Sequence, residues 1–263
     1  MKLVRYVYQD KVNYGKLENQ VITKIKGSIF DENIQFSFET IPLNNVELIN
    51  PIQPPNVIAI GLNYLKHAKE TGSQLPDNPL IFIKATTAVT GPKEDIILPA
   101  NAPNEVDFEA ELAVIIGKKA KNISATEIGK YILGYTCAND VSARDCQKRI
   151  DKQWARGKSF DTFCPLGPWI ETELNADQCN IRSILNGEIM QNSNTSDLIF
   201  SINELLSYIS SNMTLLPGTV ILTGTPEGVG FARNPQVFLR EGDKIEIEIE
   251  GIGVLSNKVV KEE

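Results

Sequence analysis

Two periods run through the chain. Ile245, Ile247 and Ile249 interleave with Lys244, Glu246, Glu248 and Glu250, the two-residue alternation of a half-buried strand. Short segments rich in Val, Ile and Tyr predict strands over 3–8, 13–17 and 20–25. Apolar runs at 57–60, 81–83, 96–98, 109–117, 133–138 and 219–223 predict further strands, the first of them buried. The helical period is rarer. Ile202, Leu205, Leu206 and Ile209 fall at i, i+3, i+4 and i+7, behind a Ser201/Glu204 pair with capping-box spacing. Ser124 and Glu127 repeat that spacing and predict a short helix; residues 65–71 and 141–150 predict two more. Strands dominate and do not alternate regularly with long helices. The pattern therefore predicts a β-rich α+β fold rather than a doubly wound sheet.

Pro42, Pro51, Pro54 and Pro55 crowd one stretch, the best linker candidate in the sequence. They predict a small β domain over 1–50 and a main domain over 51–263. The longest uncharged stretch, 205–226, is broken by serines and by Pro217-Gly218, so it reads as helix end, turn and strand rather than a membrane span. The first ten residues, MKLVRYVYQD, lack the apolar core of a signal peptide, and a cytoplasmic protein is expected. The 263 residues carry a net charge of −7, which lacks the footprint of a nucleic-acid binder. Cys137, Cys146, Cys164 and Cys179 form no CxxC pair, so reduced thiols are expected rather than a zinc or disulfide framework.

Several chemistries are excluded outright. A single histidine rules out HExxH and three-histidine metal sites. There is no Walker motif, no dinucleotide fingerprint and no GxSxG elbow. What remains is acidic. Glu109 and Glu111 lie two apart, so on a strand they project to one side. Asp140, just past the 133–138 strand, offers a third carboxylate. Three carboxylates without nitrogen or sulfur ligands describe a hard-cation site. Glu246-x-Glu248 shows that the same spacing also occurs on a plain solvent face. His67 and Glu70, three apart, share a face of a helical turn and form either an acid–base pair or a surface ion pair. Arg144, Gln147 and Lys158 are anion-binding candidates. Thr223-Gly224-Thr225-Pro226-Glu227-Gly228-Val229-Gly230 is a glycine-rich turn whose amides, Gly224 among them, could cradle a carboxylate.

Six segments occur in order: GLNYLKHAKE, IFIKATTAVTGP, DFEAELAVIIG, GYTCANDVSARD, GKSFDTFCPLGPW and PGTVILTGTPEGVG. Together, over 61–230, they resemble the fumarylacetoacetate hydrolase family, and residues 1–50 resemble the N-terminal domain of its bacterial members. The resemblance implies a β-sandwich roll with flanking helices, usually a homodimer. It implies Mg²⁺ or Mn²⁺ held by Glu109, Glu111 and Asp140, and a lid dyad of His67 and Glu70 that orients or activates water. Lys158, Arg144, Gln147 and Thr225 would hold the carboxylate and oxo groups of a small 2-oxo, enol or diketo acid. Hydrolysis, decarboxylation and keto–enol isomerisation all fit, with a non-catalytic 2-oxo acid binder as the rival from another class. Leu65-Lys66 replaces the Ala-Asp of many relatives, and the stretch between Gln147 and Lys158 varies among them. Lid surface and substrate choice are therefore the parts that the resemblance leaves open.

Overall fold

The computed structural model describes residues 1–262 and has a β-rich α+β architecture with few helices. One large sheet carries strands in the order Gln35–Pro42, Val21–Lys26, Lys11–Glu18, Lys2–Tyr8, Cys164–Glu171, Ile132–Asn139, Ala110–Ile116, Val220–Leu222, Val57–Gly61 and Leu80–Lys84. A second sheet, Glu188–Asn194, Asn180–Leu185, Lys244–Ile249, Gly253–Lys261 and Ile96–Leu98, packs on the middle of the first. Most neighbours are antiparallel, but Val220–Leu222 runs parallel to Val57–Gly61 and Gly253–Lys261 parallel to Ile96–Leu98.

Ala110–Ile116 is the centre of the molecule and buried along its whole length. That burial on both faces explains why the segment reads as the run Leu-Ala-Val-Ile-Ile rather than as an alternation. Lys244–Ile249 buries only the isoleucine face, as its alternation predicts. Strands 1 to 4 of the chain carry a small core of their own, Val4, Tyr6, Leu17, Ile22 and Ile41, and join the large sheet where Lys2 and Leu3 pair with Glu171 and Ile170. The proline-rich stretch after them is not loose: Pro51 and Ile52 are buried, and Asn50 donates to the Ile52 carbonyl.

Two predicted helices are present only in shortened form. At 141–150 the chain first makes a short strand, Ser142–Ala143, paired with Val106–Asp107. It becomes helical at Arg144 and widens over Cys146–Ile150 into one π-helical turn, closed by the Asp151 amide on the Cys146 carbonyl. At Ser124 the hydroxyl turns to Thr126, no capping box forms, and only the single 3₁₀ turn Ile128–Tyr131 follows. The box at Ser201 does form: its hydroxyl accepts from the Glu204 amide, and the Glu204 carboxylate accepts from the Ser201 amide. It opens the long helix α3, Ile202–Asn212, which buries Ile202, Leu205, Leu206 and Ile209. The four cysteines are free and buried. Among the described residues no helix is long and apolar enough to cross a membrane.

Candidate active site

Strand register assembles the carboxylates. Ala110 pairs with Asn139 and Glu111 with Ala138, so the next positions, Glu109 and Asp140, meet across the ladder. The Asp140 amide donates to the Glu109 carbonyl at 2.9 Å, and the Glu109 amide to Asn139 Oδ1 at 3.0 Å. Glu111, two residues along, falls on the same face. Glu109, Glu111 and Asp140 thus each present a ligand atom within 4.8 Å of the others, all three residues buried. Glu246 and Glu248, with the same spacing, pair instead with Lys244 and Arg182 on the half-exposed face of the second sheet.

Cations surround two of the three. Lys158, closing the short helix α2 (Ala155–Lys158), reaches Glu109 Oε2 at 2.7 Å and Asp140 Oδ2 at 2.6 Å. Arg144 Nη2 lies 2.7 Å from Glu109 Oε1 and 2.8 Å from Asp107 Oδ2, while its Nη1 donates to Gln147 Oε1. Burial alone would raise the Glu109 carboxyl, but Lys158 and Arg144 outweigh it and hold the group well below its usual range. Glu111 has no such partner. Its Oε2 accepts only the Gly224 amide, at 2.7 Å, and burial, then Asp140 and Glu109, push its carboxyl well above the usual range. A buried carboxylate lacking a counter-charge, beside two others offering hard oxygen atoms, fits a divalent cation.

Two members of the constellation escaped the sequence reading. Lys84, at the end of Leu80–Lys84 and buried, sets its Nζ 2.5 Å from Asp140 Oδ1. Asp107 accepts from Arg144 and from the amides of Gly230 and Phe231. Both had a signal: Lys84 shares a strand face with Phe82, and Asp107 extends the two-residue spacing of Glu109 and Glu111.

The glycine-rich turn does cradle carboxylates, and they are the protein's own. Gly224 donates to Glu111, Gly228 to Glu70 Oε1 and Gly230 to Asp107. Gly224 has φ +102°, and a Cβ there would sit 2.7 Å from the Asn63 Cβ, so glycine is required for the turn to reach Glu111. The Thr225 hydroxyl donates to the Ala110 carbonyl and accepts from Gln191 Nε2.

The helix α1, Leu65–Glu70, carries His67 and Glu70 over the site. His67 Nδ1 lies 3.0 Å from Glu70 Oε2, and the helix start is pinned by Asn63, which bonds the Thr223 and Phe200 carbonyls. His67, the three carboxylates, Arg144, Gln147, Lys158 and Thr225 all line one cleft of about 240 Å³.

Among known proteins, the family profile described as "Fumarylacetoacetate (FAA) hydrolase C-terminal" matches residues 56–260. The chain belongs to the fumarylacetoacetate hydrolase family. A second profile, "Rv2993c-like, N-terminal", matches residues 1–51. Oxaloacetate tautomerase Fahd2a, mitochondrial, of Rattus norvegicus is 49% identical over 224 residues, which is 84% of this chain and 71% of the rat protein. Among solved structures, 5-carboxymethyl-2-hydroxymuconate delta-isomerase from Mycobacterium smegmatis superposes with a TM-score of 0.91 at 44% identity over the whole of both chains. 2-Hydroxyhepta-2,4-diene-1,7-dioate isomerase from Mycobacterium marinum gives 0.90 at 41% identity, covering 100% of this chain and 99% of the other. The fold is that of the family, and the protein is one of its enzymes.

Proposed function

We propose that the protein is a Mg²⁺- or Mn²⁺-dependent enzyme acting on 2-oxo and enol (di)carboxylic acids, with keto–enol isomerisation or decarboxylation of an oxaloacetate-type substrate as its reaction. The observation that carries this reading is the buried triad Glu109, Glu111 and Asp140 roofed by the His67–Glu70 pair in one cleft. Relatives named as an oxaloacetate tautomerase and as isomerases of hydroxylated diene acids support the substrate class.

A divalent cation held by the triad would supply Lewis-acid stabilisation of the negative charge that builds on an enolate oxygen. The rest falls to side chains. Glu70 fixes the His67 ring through Nδ1, leaving Nε2 as the ring atom that takes or returns a proton at the carbon beside the oxo group. Lys158 and Arg144 keep Glu109 ionised and aimed, and Lys158 also holds Asp140 in place. Gln147 and Thr225 line the wall against which the substrate is oriented. In this reading the glycine-rich turn, with Gly224, acts on substrate through the carboxylates that it holds rather than by direct contact. A diketo-acid hydrolase would use the same His67 to activate water. A homodimer belongs to the same proposal, and light scattering on the purified protein measures it.

The test is turnover across a panel of 2-oxo acids with and without metal. Chelation should abolish activity, and Mg²⁺ or Mn²⁺ should restore it. Glu111→Gln should lower metal affinity in calorimetry by at least tenfold, while Glu246→Gln, on the second sheet and paired with Lys244, should not change it. Equal metal binding by the two variants, or full activity in chelator, would remove the reading.

A further inference from the structure

Three cationic side chains line the cleft, and a fourth, Lys84, lies behind Asp140. Three of these four are fully engaged by the protein's own groups. Arg144 is held by Asp107, Glu109 and Gln147; Lys158 by Glu109 and Asp140; Lys84 by Asp140 and the Val141 carbonyl. Lys148 differs. It lines the same cleft, yet among the described residues it has no carboxylate at ion-pair distance. Its ammonium rests 3.8 Å from the centroid of the Phe231 ring.

The position of Lys148 is set by the turn that follows Asp140. Arg144, Gln147 and Lys148 are spaced i, i+3 and i+4 and so climb one face of that turn. Arg144 is the inner end, against Glu109, and Lys148 is solvent-exposed at the mouth. Phe231 is fixed beneath it, because its amide donates to Asp107 and Arg144 stacks on the same ring at 4.4 Å. Burial of part of the side chain, and then the nearby Arg144, lower the Lys148 pKa, as expected of a cation without a counter-charge. A cation on an exposed aromatic face is worth about 0.5–1 kcal/mol. A charge-assisted hydrogen bond is worth about 1.5–3 kcal/mol. An incoming carboxylate therefore outcompetes Phe231 for Lys148.

We propose that Lys148 is a specificity residue that binds the carboxylate at the far end of a dicarboxylic 2-oxo acid, so that the enzyme selects dicarboxylates over monocarboxylates of equal length. The proposal rests on the 2-oxo acid reading of the site. It adds the end of the substrate that the triad does not touch.

Oxaloacetate and 2-oxobutanoate are a matched pair, differing by a carboxylate in place of a terminal methyl. Two measurements use them, both with Mg²⁺ saturating: deuterium exchange at C3 above the uncatalysed rate, and the rise in melting temperature on ligand addition. Wild type should favour oxaloacetate at least tenfold in kcat/KM. Lys148→Met should raise the oxaloacetate KM about tenfold with kcat changed less than twofold, which brings the preference toward one. Lys148→Arg should recover most of the preference. The melting shift from oxaloacetate should fall in Lys148→Met to that from 2-oxobutanoate. A variant that weakens both ligands equally would show general attraction of anions and overturn the proposal, as would one that weakens neither. If neither compound exchanges while the melting shift still discriminates through Lys148, the reaction reading falls and the subsite stands. No shift with either ligand would overturn both.

Discussion

His67 is buried beneath its own helix turn and bonded to Glu70, whose second oxygen is tied to the Gly228 amide. The pair is thereby locked to the same turn that holds Glu111 and Asp107, so the His67–Glu70 pair and the carboxylate triad share one scaffold. If His67 moves a proton in the reaction, His67→Ala should lose roughly two to four orders of magnitude in kcat. Metal affinity should survive, since His67 is not among the clustered carboxylates. Glu70→Gln should lose less, because it keeps an acceptor for Gly228 while giving up the charge facing the ring. The check is kcat for oxaloacetate and for an acylpyruvate in wild type and both variants; unchanged rates would reduce the pair to a structural ion pair. Glu109, Glu111 and Asp140 were legible in the sequence because a two-residue spacing and an antiparallel register are local rules. Lys84 and Asp107 were harder to see. Lys84 comes 56 residues before its partner Asp140, and nothing in the local pattern says which distant acid a buried lysine meets.

At the scale of elements, the two serines with the same spacing make a controlled comparison. Ser201 closes a complete capping box on an eleven-residue helix, whereas Ser124 faces Thr126 ahead of one 3₁₀ turn. Ser201→Ala should therefore cost about 1 kcal/mol. That should lower the melting temperature by roughly 2–4 °C in a chain of this size. Ser124→Ala should cost under about 0.5 kcal/mol. Differential scanning calorimetry of the two variants checks this, and equal shifts would contradict it. The difference lies downstream of the motif. After Ser201 an apolar stripe has a core to bury against; after Ser124 the chain soon returns to the strand Ile132–Asn139. Some missed elements did carry signals. Asn186-Gly187 joins Asn180–Leu185 to Glu188–Asn194 with both residues at positive φ, the strongest two-residue hairpin signature in the chain. The strand Cys164–Glu171 is masked by Pro165 and Pro168, which normally argue against a central strand. It is accommodated because its ladder to Ile132–Asn139 shifts register between Tyr135 and Cys137. The helix expected at 141–150 starts only at Arg144, because Ser142–Ala143 pairs with Val106–Asp107, a contact that the helical period cannot encode.

For the whole molecule, the question is which connection is loose. The sequence offers two: the proline-rich stretch at 42–55 and the segment after the helix carrying His67. The structure separates them. Around 50 the chain is held by Arg5 on Asn50, by Asn50 on the Ile52 carbonyl and by Ile52, which is 2% exposed within the main core. After Glu70, residues 72–79 are mostly exposed and belong to no strand or helix. Proteases need an open, unladdered backbone to cut. A broad-specificity protease should therefore nick the native enzyme first within 72–79, before 42–55 and well before Ala110–Ile116. The two fragments should stay together, since Val57–Gly61 is laddered to Val220–Leu222 and Leu80–Lys84 to Val57–Gly61. The nicked protein should keep its metal affinity, because the triad lies on strands away from the cut, but lose activity as α1 is freed at its C-terminal end. Mass spectrometry of the first fragments, with metal titration of the nicked complex, reads both outcomes. A first cut at 42–55 would show two units joined by a free hinge. A first cut within Ala110–Ile116 would contradict the buried central strand.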